Sequence, residues 1–213
     1  MSLMETAIIL AGGDSKRIGY PKSLLRLDGK TILELLVDRL KENFRELLLV
    51  TDRPEFYRNL PVKITGDIYT NLGKSSLRGI HAGLYASTTD KNFVVACDMP
   101  FVQIRLIKSM YNYLEGAEAT VPRIGSYYQP LFAWYRRSCL GAVEKCLLAG
   151  NFKVTDFYSL VEVYYFTEEK IDRADPHRLS FFNVNTPEDF EYARNLMKKN
   201  ENELKKQEND NYK

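Results

Sequence analysis

The first 122 residues alternate continuous apolar runs with segments of helical period. Residues 6–10, 47–51, 62–65, 93–97 and 119–122 read as strands. Between them, 32–40, 76–87 and 102–114 read as helices, and 55–59 as a short polar helical turn. In 32–40 the apolar stripe is Leu33, Leu36, Val37 and Leu40, the spacing of an amphipathic helix. Strands such as 93–97 are apolar on both faces and so have no solvent side. Alternation of such strands with helices predicts an α/β fold, a mostly parallel sheet covered by helices on both faces in three layers.

After residue 123 the pattern loosens. Residues 128–135, 160–166 and 178–183 read as strands and 137–149 as a helix. Pro187 suits the first turn of a closing helix N-capped by Thr186, with Phe190, Ala193, Leu196 and Met197 along it. There is no internal repeat and no Pro- or Gly-rich linker, so residues 1–200 form a single domain. Residues 201–213 are a polar tail with almost no apolar surface, expected to fray or stay disordered.

Composition narrows the classes. Of 213 residues, 45% are hydrophobic and 27% charged, enough for a full core. The 30 basic and 28 acidic residues leave a net charge of +2, which argues against a nucleic-acid partner bound through bulk charge. No apolar stretch is long enough to span a bilayer, and residues 7–10 are too short for a secretory segment, which points to the cytoplasm and to no membrane partner. Cys97, Cys139 and Cys146 are odd in number and lack a Cys-x-x-Cys pair, so they read as small buried hydrophobes rather than a disulfide or zinc framework.

The chemistry begins at "LAGGDSKRIGYPK", residues 10–22, directly after the first strand. The Walker A spacing fails because Lys22-Ser23 follows Pro21. The dinucleotide Gly-x-Gly-x-x-Gly fails because Gly12 and Gly13 are adjacent. What remains is a double glycine, open to close backbone approach, followed by the cations Arg17 and Lys22. That combination suits a triphosphate; a glycine turn with solvated cations is the alternative.

The stretch resembles the signature of small nucleotidyltransferases with a glycosyltransferase-A-like, Rossmann-type fold. Among them it is most similar to the molybdenum cofactor guanylyltransferases, whose pattern runs Leu-Ala-Gly-Gly-x-Ser-x-Arg-Met-Gly-x-x-Lys; only Ile18 departs from it. "SLRGIHAGL" (76–84), "ACDMPF" (96–101) and "FNVNTPEDF" (182–190) follow in the family's order. The resemblance implies a magnesium-dependent enzyme that takes GTP as substrate and molybdopterin, with or without bound molybdenum, as acceptor. Molybdoenzymes or cofactor-inserting proteins would receive the product.

The same resemblance implies residue roles. Asp98 is the metal ligand, at the C-terminal end of a buried strand. Lys22 and Arg17 bind the β- and γ-phosphates and stabilise the departing pyrophosphate. Leu10, Ala11, Gly12 and Gly13 contact the nucleotide through their backbone, as do Asp67 and Gly79 from later segments, with Asp67 accepting from the guanine edge or from ribose. Asn183 and Asn185 flank Val184 at the end of the last strand, facing the acceptor or capping the closing helix. Asp52 corresponds less closely to a family position, and His81 reads as a packing residue. The aromatics of residues 127–135 read as strand core or as a contact surface.

One departure stands out. The family commonly has Gly-Pro-Leu-Ala-Gly where this chain has Ser75-Ser76-Leu77-Arg78-Gly79, which puts a cation and bulk in place of a small residue near the base. Related activities therefore stay open beside guanylyl transfer to molybdopterin. They are molybdopterin cytidylyl transfer, cobinamide-phosphate guanylyl transfer, sugar-1-phosphate nucleotidyl transfer, and non-catalytic nucleotide binding. Retention of Arg17, Lys22 and Asp98 argues against the last.

Overall fold

A computed structural model describes residues 3–12 and 22–210, with side chains for 3–12 and 23–199. In chain order the elements are β1 (Met4–Leu10), β2 (Arg26–Leu27), β3 (Lys30–Thr31), α1 (Ile32–Lys41), β4 (Phe44–Val50) and β5 (Lys63–Thr65). There follow α2 (Ser76–Ala86), β6 (Lys91–Ala96), α3 (Ile104–Tyr111), β7 (Ala119–Ile124), β8 (Tyr127–Tyr128) and β9 (Phe132–Arg136). The last are α4 (Leu140–Leu148), β10 (Val163–Phe166), α5 (Glu168–Ala174) and α6 (Pro187–Asp210).

The main sheet runs β10-β7-β9-β6-β1-β4-β5, with β8 paired to β7 outside that path. Strands β5, β4, β1 and β6 are mutually parallel, as are β7 and β10. Only β9 within the path, antiparallel to both β6 and β7, breaks the pattern. The mostly parallel sheet expected from the apolar runs is what forms.

Alternation along the strands fills two cores. Ala7 and Ile9, Leu47 and Leu49, and Phe93 and Val95 face one layer, where α1, α3 and α5 supply Leu33, Leu36, Leu106, Ile107 and Ile171. Ile8 and Leu10, Leu48 and Val50, and Val94 face the other, against Leu77 and Ile80 of α2 and Val143 and Leu147 of α4. Side chains of a strand alternate faces, so a strand buried in both layers must be apolar throughout. α6 packs separately, with Ala193 and Val184 against Leu27, Ile32 and Phe101.

Local chemistry sets the ends. Thr31 and Glu34 form a capping box on α1: the Thr31 hydroxyl accepts from Glu34 N (3.1 Å) and the Glu34 carboxylate from Thr31 N (2.6 Å). Thr186 caps α6 as expected, its hydroxyl accepting from Asp189 N at 3.1 Å. α2 lies close on β1 because two glycines, one turn apart, face it. A Cβ at Gly83 would overlap Ile8, with Ile8 Cδ1 3.0 Å away, and one at Gly79 would stand 3.2 Å from Leu10 Cδ2.

Three expectations need correction. Residues 178–183 form no strand: Leu179–Phe181 is a 3-10 turn and 182–185 is irregular. Arg178 enters that turn with φ of 50°, a left-handed conformation that cannot continue a strand, and Asp175 accepts from Leu179 N and Ser180 N. The helix expected over 102–114 ends at Tyr111 and tightens into a 3-10 turn, Asn112–Gly116. The strand expected over 128–135 divides into β8 and β9 around Gln129-Pro130-Leu131, where Pro130 has no N–H for a ladder.

Candidate active site

Parallel strands deliver their C-terminal ends, and the loops that follow, to one edge of a sheet. Here a cavity of about 990 Å³ opens at the ends of β1, β4, β5 and β6. Its size lies at the upper end of ligand pockets, about 300–1,000 Å³. Leu10, Gly12, Asp67, Gly79 and Asp98, separated by up to 88 positions in sequence (98 − 10), all line it. Gly79 is thus both a cavity residue and the point where α2 meets Leu10.

Backbone pairing holds this wall. Ala11 N donates to Val50 O (2.9 Å), and Cys97 N to Leu10 O (3.1 Å), so the ends of β1, β4 and β6 are pinned together. The Thr51 hydroxyl donates to Ala11 O (3.3 Å) and accepts from Arg53 N (3.1 Å). Asp98, half-buried, stands immediately beyond β6. Its carbonyl accepts from Val184 N at 2.9 Å, which brings the Asn183–Asn185 segment beside Asp98 although no strand forms there. Asn183 Nδ2 donates to Phe181 O (3.2 Å) and Asn185 N to Asp189 Oδ2 (2.9 Å). The Val184–Asp98 tether and buried Val184 help hold the segment in place.

Residues 13–21 lie outside the described residues, and with them Gly13 and Arg17. Lys22 opens a 3-10 turn, Lys22–Leu24, and its side chain is likewise outside the description. The turn is anchored by buried Ser23, whose hydroxyl shares a 2.7 Å hydrogen bond with that of Tyr57; burial pushes the Tyr57 phenol above its ordinary pKa.

The loop between β5 and α2 forms the opposite wall, contributing Gly66, Asp67, Thr70, Leu72, Lys74 and Ser75. Arg78, from the first turn of α2, reaches across to this loop and lines the cavity with it. Its Nη2 donates to Asp67 Oδ2 (2.7 Å) and its Nη1 to Leu72 O (2.5 Å). The Arg78 side chain is 6% exposed and that of Asp67 24%. Arg78 therefore pairs with the acid instead of standing free as an extra cation. Its Nε is buried with no acceptor among the described residues.

Two further contacts hold the loop. The Tyr69 hydroxyl donates to Glu144 on α4, and Lys74 Nζ pairs with Asp52 at 3.0 Å across the cavity mouth. His81 lies behind the loop, 3.7 Å from Glu144 and against the Tyr69 ring. Burial lowers its pKa, with Glu144 opposing, so His81 is a neutral packing residue, away from the cavity lining.

Sequence reading missed Thr51, Gly66, Thr70 and Lys74 as cavity residues. None belongs to a motif; only their position after strand ends could have signalled them. All three cysteines are free; Cys139 and Cys146 are buried as expected, and burial pushes the Cys139 thiol up to about 12, whereas Cys97 is half-buried and lines the cavity.

With this geometry in place, the comparisons decide the lineage. A model of the MobA-like NTP transferase domain matches residues 7–162. The chain belongs to that family. A probable molybdenum cofactor guanylyltransferase of Natranaerobius thermophilus is 40% identical over 200 residues, covering 92% of this chain and 98% of the relative. A molybdenum cofactor guanylyltransferase of Syntrophotalea carbinolica is 34% identical over 188 residues, covering 87% and 89%. Among solved structures, molybdopterin-guanine dinucleotide biosynthesis protein A of Archaeoglobus fulgidus superposes with a TM-score of 0.80 at 28% identity, covering 91% of this chain and 99% of that one. The family match, residues 7–162, takes in most of β1 and all of β4, β5 and β6, whose ends build the cavity.

Proposed function

We propose that this protein transfers GMP from GTP to the terminal phosphate of molybdopterin and releases pyrophosphate. The observation that carries the reading is the single cavity joining the β1 loop, Asp67, Gly79 and Asp98, in a chain of the MobA-like family. The named relatives are molybdenum cofactor guanylyltransferases over nearly their whole length.

An oxygen of the acceptor's phosphate attacks the α-phosphorus of GTP. A new P–O bond forms there, and the bond to the bridging oxygen breaks, so pyrophosphate leaves with that electron pair. A phosphate monoester is already anionic at neutral pH, so no side chain has to remove a proton. The chain's own task is positioning and charge neutralisation. The backbone of Leu10, Ala11, Gly12 and Gly13 holds the nucleotide, Asp67 and Gly79 flank its base, and Asn183 and Asn185 face the acceptor. Arg17 and Lys22 neutralise the leaving pyrophosphate.

The donor chemistry fits magnesium. Asp98 presents a carboxylate at the cavity wall, and magnesium takes one or two carboxylates together with phosphate oxygens and water. With Asp98 as a carboxylate ligand, phosphate oxygens of the substrate and water would complete the ion's shell. When bound, the ion supplies charge neutralisation at the phosphates.

We place the reaction in the cytoplasm, in keeping with three free thiols, and molybdoenzymes or cofactor-inserting proteins downstream of it. Among the described residues no helix is long and apolar enough to cross a membrane. The test is to incubate the protein with magnesium, each nucleoside triphosphate and molybdopterin. The reading expects pyrophosphate and a guanine dinucleotide in equal amounts with GTP alone. Release with CTP, or none with any nucleotide, overturns it.

A further inference from the structure

Two parts of the cavity wall depend on one side chain that the reaction itself does not use. Arg78 reaches from α2 to both Asp67 and Leu72 O, and so spans most of the loop between β5 and α2. Both line the cavity, but the Arg78 side chain is almost wholly buried whereas that of Asp67 is partly open. Removing one partner of such a pair strands a charge, which is far costlier than keeping the pair. The pair therefore persists when a ligand enters, and the ligand meets Asp67 as Arg78 presents it.

We propose that Arg78 is a positioning residue that sets base selectivity, holding Asp67 as a fixed acceptor for the base edge. The inference rests on the guanylyl-transfer reading above. Arg78 occupies Oδ2 of Asp67 in the 2.7 Å bond, while Oδ1 takes no hydrogen bond from another described residue and can accept from a ligand. Guanine carries two adjacent donors, N1–H and the 2-amino group. Adenine and cytosine place a ring acceptor beside their single amino donor, and uracil flanks its one N–H with two carbonyls. A carboxylate that cannot turn away attracts the first edge and repels the acceptors of the others. A site built around a hydrogen bond discriminates strongly for that reason. The planar fork of arginine suits the task, since two acceptors in different places must be held at once. The bulk and charge at position 78 thus give the reader its rigidity.

The test compares wild type with R78M, which keeps length and loses charge, and R78K, which keeps charge and loses the fork. Dissociation constants for GTP, CTP, ATP and UTP with magnesium are measured by calorimetry, alongside the melting temperature of each unliganded variant. R78M is expected to weaken GTP about tenfold, the scale of one charge-assisted hydrogen bond, and to move the other three less than about twofold. R78K falls between. KM for GTP rises while kcat at saturation holds. Equal weakening of all four nucleotides, or a lower melting temperature with unchanged selectivity, overturns the inference and leaves Arg78 a structural residue. A wild-type preference for another base overturns both the guanylyl reading and the inference, since a fixed Asp67 acceptor favours only the guanine edge. Wild type that binds no nucleotide overturns both.

Discussion

The two halves of the sheet meet where β6 pairs with β9, and they put their residues to different uses. On one side β5, β4, β1 and β6 run parallel, so their C-terminal loops gather at one edge and enclose the cavity. On the other side β9 runs against its neighbours. Its side chains go into both cores, Phe132 and Trp134 into one and Ala133 and Tyr135 into the other. Trp134 Nε1 donates to Ile107 O (3.0 Å), and Tyr135 OH to Pro130 O (2.9 Å). The first half exposes polar ends that can hold a ligand; the second spends nearly everything on packing. Parallel strands concentrate chemistry because their ends coincide, and an antiparallel strand divides its ends between the two edges.

That contrast is broken most severely by Trp134→Ala, which should cost about 3–5 kcal/mol of stability while leaving nucleotide selectivity unchanged, as read by denaturant unfolding. A shift in selectivity without loss of stability would mean that the packing half takes part in binding. Asp98→Asn should do the reverse, lowering turnover about 10²- to 10³-fold with the melting temperature nearly unmoved. Near-normal turnover would remove Asp98 from the proposed chemistry.

Gly83→Ala tests the seam between α2 and β1. Its Cβ would overlap Ile8, so overpacking should cost about 1–3 kcal/mol, whereas Gly79→Ala, facing the movable Leu10 side chain, should cost less stability and act on nucleotide affinity instead. Equal losses for the two would show that the helix end is as rigid as its middle.

The smallest effect comes from His81. Its folded pKa is depressed by burial below 6.5, so as pH falls beneath that value the unfolded chain takes up a proton that the folded chain refuses. Stability should therefore decline as pH falls through the region just below 6.5, and His81→Phe should flatten that part of a melting-temperature profile. An unchanged slope in the variant would assign the decline to other groups.

The chain's own pattern reached a good part of this. β1, α1, β4, α2 and β6 were legible because each combines a continuous apolar run or a clear helical stripe with a bounded length. Asp98 was legible as a cavity residue because it follows a strand buried on both faces, and such strands end at the binding edge of an α/β sheet. Of the aromatics of residues 127–135, expected as strand core or as a contact surface, Phe132, Trp134 and Tyr135 are core while Tyr127 is exposed, and the division at Pro130 was not legible. The strand over 178–183 was misread: Leu179, Phe181 and Phe182 are apolar, but Asp175 draws the backbone into a turn by accepting from Leu179 N and Ser180 N. Apolar content alone does not distinguish a strand from a packed turn.

By itself, then, the sequence determined most of the strands and helices of the first half, that the sheet is covered on both faces, and which family the loops resemble. Those properties are local, carried by periodicity and by short contiguous stretches. Tertiary structure alone decided the strand order, the reversed direction of β9, the tether from Val184 to Asp98, and the pairing of Arg78 with Asp67. An apolar strand satisfies its backbone equally well beside a parallel or an antiparallel partner, and an arginine in a helix's first turn can face solvent or an acid. Which of these occurs depends on contacts between distant residues, and those exist only once the chain has closed on itself.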